Sequence, residues 1–229
     1  MQFPITNMSF SIMTIALLSS LGCTTCLADF GSGKGVRGNG MVVTEERSIE
    51  DYNSIEVHGA IQLEVSCSAE PSLSITGEEN LLPVIETICQ DGKLVISSTE
   101  PYQSTKPIIV KTACSKLIRY QGNGATGGKV TEVESESLEI ELSGASSLVV
   151  QKGKVNTLKV NVSGASNVNT GNLETSNAKV TASGASKVIV NVSDELKAKA
   201  SGVSSVVNKA KAEVVSKKES GMASVESAK

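Results

Sequence analysis

The feature that most restricts this chain is an internal repeat. Ser143-Gly144-Ala145-Ser146 returns as Ser163–Ser166 and again as Ser183–Ser186, at a spacing of twenty residues. Variants follow at Ser201-Gly202-Val203-Ser204 and Gly221-Met222-Ala223-Ser224, and a degenerate copy precedes them at Asn123-Gly124-Ala125-Thr126. A unit of this length cannot bury an inner face alone, so repeats must stack. Stacking puts Gly124, Gly144, Gly164, Gly184 and Gly202 in one column of corners.

The flanking residues share the register. Ile118, Leu138, Leu158, Ala178 and Leu196 form one apolar column; Tyr120, Ile140, Val160, Val180 and Ala198 form the next. Gly122, Leu142, Val162, Ala182 and Ala200 form a third, with mostly polar residues between the columns. This alternation has the period of a strand with one buried face. After the corner, Leu148, Val168, Val188 and Val206, then Val130, Val150, Thr170, Val190 and Asn208, mark a second strand. Ala125, Ala145, Ala165, Ala185 and Val203 are expected to fill the inside of the corner. The pattern predicts an all-β chain whose residues 119–229 form a parallel β-solenoid of about 20 residues per coil, rising about 4.8 Å per coil. The Ala/Lys-rich segment 193–219 also suits a surface helix. The columns favour strand to about residue 207, with no assignment after Asn208.

Upstream, residues 41–118 read as a β-rich portion covering the end of the solenoid, as exposed solenoid ends require. Ile55, Val57, Ile61, Leu63 and Val65 alternate. Asn80–Ile88 suits one short helix, and Asp91-Gly92 is a turn signal before Leu94–Ile96.

Residues 9–22 form an apolar run of the length of a signal-peptide core, without a basic start, since the first charge is Asp29. Two cleavage readings stay open. Either residues 1–28 are a signal peptide, or a lipoprotein signal ends at 22 and Cys23 is lipidated. Residues 29–40, with five glycines in Gly31–Gly40, read as a flexible tether. The G-x-G-x-x-G at Gly33, Gly35 and Gly38 lacks the strand and helix a dinucleotide site needs. Cys67, Cys89 and Cys114 fit no metal spacing. Cys67–Cys89 is the expected disulfide if one forms, and buried free thiols are the alternative.

The chain holds no Trp, 3% aromatics and one histidine, His58, and its formal net charge is −3. That leaves one imidazole for any His-dependent mechanism, few faces for stacking bases, and no general attraction to nucleic acid.

Arg47-Ser-Ile-Glu-Asp-Tyr-Asn-Ser-Ile-Glu-Val57, Gly77-Glu-Glu-Asn-Leu-Leu82, Asp91-Gly-Lys-Leu-Val-Ile96 and the Ser-Gly-Ala-Ser corners occur in an order that resembles the auto-transporter adhesin head domain of GIN type, over residues 41–206. The resemblance implies a right-handed β-helix in an exported or lipidated bacterial protein of the periplasm, outer membrane or cell surface. It brings no catalytic residues and no cofactor. The end departs from the family, because Ser220–Lys229 has neither Tyr nor Pro.

One outward column, Lys159, Lys179 and Lys197, stacks like charges, which reads either as a solvated, aggregation-resistant surface or as a contact for an anionic partner such as an acidic glycan or another cell-surface component. Beside it lie Glu132, Glu134, Glu136, Glu139 and Glu141. The expectation is a non-catalytic, adhesin-like envelope module that meets a membrane only through its signal or lipid anchor. The alternatives are a polysaccharide-processing enzyme, which needs convergent carboxylates, and a periplasmic scaffold.

Overall fold

The computed structural model describes residues 35–67 and 69–228. The apolar segment, both cleavage readings and the lipidation candidate Cys23 lie outside them.

Residues 35–40 are docked rather than a free tether. β1 (Val36–Arg37) pairs in parallel with β8 (Tyr102–Gln103). A Cβ on Gly35 would strike the Pro101 carbonyl, and one on Gly38 the Glu78 carboxylate. These glycines serve close approach, not slack.

The N-terminal part continues with β2 (Val42–Arg47), β3 (Ser54–Gly59), β4 (Ile61–Cys67) and β5 (Ser72–Glu78). A 3-10 turn at Glu79–Val84 follows, then β6 (Ile85–Gln90), β7 (Lys93–Ser98) and β9 (Ile108–Cys114). β6 and β7 form an antiparallel hairpin through Asp91 (φ 51°) and Gly92 (φ 71°), the two positive angles that a two-residue turn of this hand requires. β2 and β5 are the antiparallel cap on β9.

The solenoid proper repeats a long strand, a Gly corner and a short strand. Its strands are β10 (Arg119–Gly124) and β11 (Gly127–Thr131), β12 (Val133–Gly144) and β13 (Ser147–Val150), β14 (Gly153–Val162) and β15 (Asn167–Asn169). β16 (Leu173–Ala182) and β17 (Lys187–Val190), β18 (Val192–Gly202) and β19 (Ser205–Asn208), and β20 (Glu213–Gly221) and β21 (Ser224–Ser227) complete it. Successive turns are about 20 residues apart. The order β20-β18-β16-β14-β12-β10-β3-β7-β6 forms one sheet, and β2-β5-β9-β4-β11-β13-β15-β17-β19-β21 the other.

One boundary differs from expectation, and the end left unassigned takes a definite structure. Residues 54–67 do not merely cover the solenoid but form a rung of it: Gly59 stands opposite Gly124, and β4 pairs in parallel with β11. At the other end, where the sequence left residues after Asn208 unassigned, β20 and β21 add a further coil, with Gly221 opposite Gly202. Parallel pairing to the preceding coil outweighs the helix propensity of Ala and Lys.

The corner is the reverse of the expected one. Ala145, Ala165 and Ala185 face solvent and Val203 is 59% exposed, whereas Thr126, Ser146, Ser166, Ser186 and Ser204 are buried. A left-handed glycine turns the following side chain outward and the next one inward. The inward serine satisfies its hydroxyl locally: Ser146 Oγ donates to Ser143 O (2.8 Å) and to Gly124 O of the coil beneath (3.2 Å). Ser166 and Ser186 repeat this. Ile118 likewise faces out, and Leu117 takes the buried place.

The first coil carries the one bulky inward residue of its column, Tyr120. It fits because Gly122 and Gly128 occupy inward sites held elsewhere by Leu, Val or Ala. A Cβ at Gly122 would lie 2.7 Å from Thr126 Oγ1 and 2.8 Å from Leu142, and one at Gly128 would overlap the Tyr120 hydroxyl. That hydroxyl is buried without a hydrogen-bond partner.

Two predictions follow from this packing. A Cβ at Gly144 (φ 83°) would lie 2.5 Å from Gly124 O, while Gly40 (φ 79°) has open space. Gly40→Ala should therefore cost only the left-handed strain of about 1 kcal/mol, whereas Gly144→Ala should cost at least about 2 kcal/mol and lower Tm by about 4–8 °C. Equal losses by thermal denaturation would refute the close-approach role of the column. Tyr120→Phe, which removes an unpartnered hydroxyl, should leave stability unchanged or raise it by about 1 kcal/mol; a clear loss in urea titration would show a partner for that oxygen.

Candidate ligand-facing surface

Because the long strands stack in register toward their corners, with register shifts only upstream in β16–β18 and β18–β20, each outward position there becomes a column along the sheet. One column reads Arg119, Glu139, Lys159, Lys179, Lys197, Ser216, and the next reads Gln121, Glu141, Asn161, Thr181, Lys199, Lys218. Rungs are about 4.8 Å apart, so charges in a column interact directly.

The two ends of this face differ. Toward the N-terminal side the charges neutralise one another. Glu56 holds Lys93 (2.5 Å) and His58 (2.7 Å). Arg119 pairs with Glu139 (3.5 Å) and Glu141 (3.0 Å), and Gln121 donates to Glu141 (2.6 Å). Lys159 pairs with Glu139. Burial raises the pKa of the Glu141 carboxyl, but the bonds from Arg119 and Gln121 outweigh it and leave the carboxyl below its ordinary value.

Toward the C-terminal side cations are left over. Lys179, Lys199 and Lys218 are exposed and form no ion pair among the described residues. Lys197 reaches Glu195 at 3.5 Å, with both side chains about half exposed, a pairing of small worth in solvent. A shallow groove of about 640 Å³ runs beside them, lined by Thr181, Lys199, Lys217, Lys218, Glu219 and Ser220 among others.

The expected column is therefore redistributed. Lys159 is occupied by Glu139, Lys179 is free, and Lys199 and Lys218 join from the adjoining column. The signal for Lys199 was available, because it stands two residues beyond Lys197 on the same face of a strand, whereas Lys218 lies past Asn208, where the sequence left the structure unassigned. The Cys67–Cys89 pairing does not form. All three described cysteines are free, Cys67 stands opposite Cys114, and Cys89 sits in the other sheet with its Sγ donating to Glu50 O (3.4 Å).

No group of three or more His, Cys, Asp or Glu among the described residues is placed to hold a metal ion. Instead, the charged motif residues are tied into the fold. Arg47 donates to Ile85 O (2.6 Å), Leu82 O (3.0 Å) and Thr87 Oγ1 (3.1 Å), closing the 3-10 turn. Asn80 accepts from Asn39 N and donates to Arg37 O. Glu78 is fully buried, and its carboxylate accepts from Ser104 Oγ (2.7 Å), Thr105 N and Oγ1 (both 2.8 Å) and Gly40 N (2.7 Å). It is an anionic clamp between two loops.

With this geometry in hand, comparison becomes informative. The family model described as "Putative auto-transporter adhesin, head GIN domain" matches residues 51–212. The chain belongs to this family. Among solved structures, a "putative adhesin" from Bacteroides fragilis superposes with a TM-score of 0.71 at 17% identity, covering 85% of this chain and 100% of its own. One from Parabacteroides merdae gives 0.53 at 24%, covering 86% and 100%. One from Parabacteroides distasonis gives 0.50 at 20%, covering 85% and 100%. These likenesses establish the fold. Comparison with curated proteins gives no match. Within the segments Arg47–Val57 and Gly77–Leu82, Arg47, Glu78 and Asn80 clamp the N-terminal cap of this chain.

The Ser104 hydroxyl bond, ahead of those from Thr105 and Gly40, holds the Glu78 carboxyl at about 2 despite its desolvation, against an ordinary 4.5. A depressed folded pKa gives stability that is complete above the unfolded value and is lost as pH falls from about 4.5 toward 2. Glu78→Gln should flatten the acid limb of the Tm–pH curve over that window and lower Tm at neutral pH. An unchanged acid limb would assign acid sensitivity to other carboxylates.

Proposed function

We propose that this chain is a non-catalytic, exported, adhesin-like module of the bacterial envelope that engages an anionic polymer, an acidic glycan being the chemistry that fits best. The observation that carries this reading is the lysine excess on one end of a flat sheet face. Lys179, Lys199 and Lys218 lie in adjoining columns, the latter two lining a shallow groove, while the charges toward the N-terminal side are internally paired. Family membership supports the adhesin-like role, and the apolar segment 9–22 supports export.

The shape favours a polymer. The groove is open, and Asn161, Thr181, Ser201 and Ser220 offer polar groups near the lysines. A polyanion laid along the columns meets a cation on successive rungs, and several weak contacts on one chain add as avidity. The carboxylates that an enzyme would need, Glu139 and Glu141, are held by Arg119, Lys159 and Gln121, an arrangement suited to structure rather than to proton transfer.

Alginate, as a polyuronate, is the first probe, with dextran as the neutral control. Binding to alginate should weaken as salt rises from low to physiological ionic strength. A combined Lys179→Glu, Lys199→Glu, Lys218→Glu variant should bind about tenfold or more weakly with an unchanged Tm, because exposed pairs contribute little to stability. Equal retention of dextran, or full alginate binding by the triple variant, would overturn the reading.

A further inference from the structure

Cys67 and Cys114 are the last residues of β4 and β9, neighbouring parallel strands, and they stand directly opposite each other in register. Opposed residues of a parallel pair point to the same side, and both thiols are buried, at 1% and 0% exposure. The Cys67 thiol is hydrogen-bonded to the Cys114 sulfur, and this bond holds the Cys114 thiol below its usual pKa. Opposed Cα atoms on adjacent strands lie about 4.8 Å apart, within the roughly 4.4–6.8 Å that a disulfide spans. Each residue ends its strand, where the backbone can adjust to bring the Cβ atoms to the roughly 3.5–4.5 Å that a disulfide needs. Cys89 shares none of this. It lies on β6 opposite Leu94, with its thiol on Glu50 O.

We propose that Cys67 and Cys114 are a built disulfide site, closed by exchange with a small organic disulfide such as oxidised glutathione, that staples the N-terminal cap to the solenoid. The Cys114 thiolate attacks one sulfur of the oxidant, forming a mixed disulfide and releasing one thiolate. The Cys67 thiolate then attacks the Cys114 sulfur and releases the second. The two protein thiols are oxidised by two electrons, the oxidant is reduced to two thiols, and the two protons end on those thiols. Because the native thiols are buried, exchange takes place as the chain folds or as this edge opens.

The position gives the bond its consequence. β9 lies between β4 and β5, and β5 carries β2. A β4–β9 bond therefore fastens the antiparallel cap to the N-terminal rung of the solenoid. The sulfurs are separated by 47 residues of chain (114 minus 67), a loop long enough for cross-linking to restrict the unfolded chain strongly.

The full chain is refolded in a glutathione redox buffer, alkylated, digested with trypsin without reduction, and the linked peptides fragmented by mass spectrometry. No Lys or Arg lies between Arg47 and Lys93, and Lys111 and Lys116 bracket Cys114. The expected product joins peptide 48–93 to peptide 112–116, with fragmentation placing the bond on Cys67. The join should survive Cys89→Ser and be lost in Cys67→Ser. Oxidised protein should melt about 5–10 °C above reduced protein. A bond internal to 48–93, a bond from Cys89 to Cys114, or free thiols at both 67 and 114 in natively refolded protein would overturn the proposal.

Discussion

The carbonyl oxygen of each corner glycine is the joint on which this molecule depends. In every coil it accepts the backbone N–H that follows the next coil's glycine: Ala145 N to Gly124 O at 2.7 Å, Ala165 N to Gly144 O and Ala185 N to Gly164 O at 2.8 Å, Met222 N to Gly202 O at 2.9 Å. In the regular coils it also accepts the inward serine hydroxyl, as from Ser146, Ser166 and Ser186. Two donors converge on one oxygen only if the next backbone comes close, and that approach leaves no room for a Cβ. The left-handed φ and the close approach therefore demand glycine for separate reasons. This joint fixes the register, and the register fixes everything else. Apolar columns of Leu, Val, Ile and Ala become a continuous core, and outward residues become columns of charge.

A fold propagated by such a joint has no intrinsic stopping rule, so its ends need separate chemistry. At the N-terminal side the chain departs from the repeat. β2 and β5 run antiparallel and end the stacking, and Glu78, Asn80 and Arg47 tie the connecting loops to them. At the other end the terminal rung places Lys217 and Glu219 in register with Ala198 and Ala200, positions that are apolar in the coils before. Their side chains pair at 3.1 Å, and Glu219 also accepts Val225 N. A further coil would bury this ion pair, at a desolvation cost that attraction rarely recovers. The last described coil thus resists further stacking through charge at positions that are apolar in the coils before.

How much of this could be read in the sequence depends on whether the governing interaction was periodic. The twenty-residue columns and the corner glycines were legible because alternation and a left-handed turn leave direct traces. The orientation of the corner was not. Hydrophobicity places alanine inside and serine outside, and only the two carbonyls available to the Ser146 hydroxyl reverse that order. The rung at residues 54–67 was hidden by the excursion through β5 to β9, although Gly59-Ala60 repeats the Gly-Ala of the corner and pairs with Gly124. The cysteine partner was hidden for the same reason. Sequence order brings Cys89 nearer to Cys67, while the topology places β9 beside β4 and sends β6 to the other sheet. The glycines at 35 and 38 illustrate a further limit, because flexibility and intimate contact call for the same residue.

The proposed function follows from what stacking does to surface charge. In an ordinary globular protein three lysines distant in sequence meet only by elaborate folding. Here a substitution at one outward position is automatically placed about 4.8 Å from its counterparts. The chain uses this in two opposite ways on one face. Arg119, Glu139, Glu141 and Lys159 alternate in sign, so neighbouring rungs attract and the columns stabilise the sheet. From Lys179 onward the signs repeat, and repulsion between rungs is accepted instead. A solenoid that needed only to be soluble could have continued the alternation, since Glu195 shows that acidic residues fit the last coils. The break in alternation is therefore the local departure from stability that a surface for an extended anion would require, and it coincides with the groove at Lys199 and Lys218.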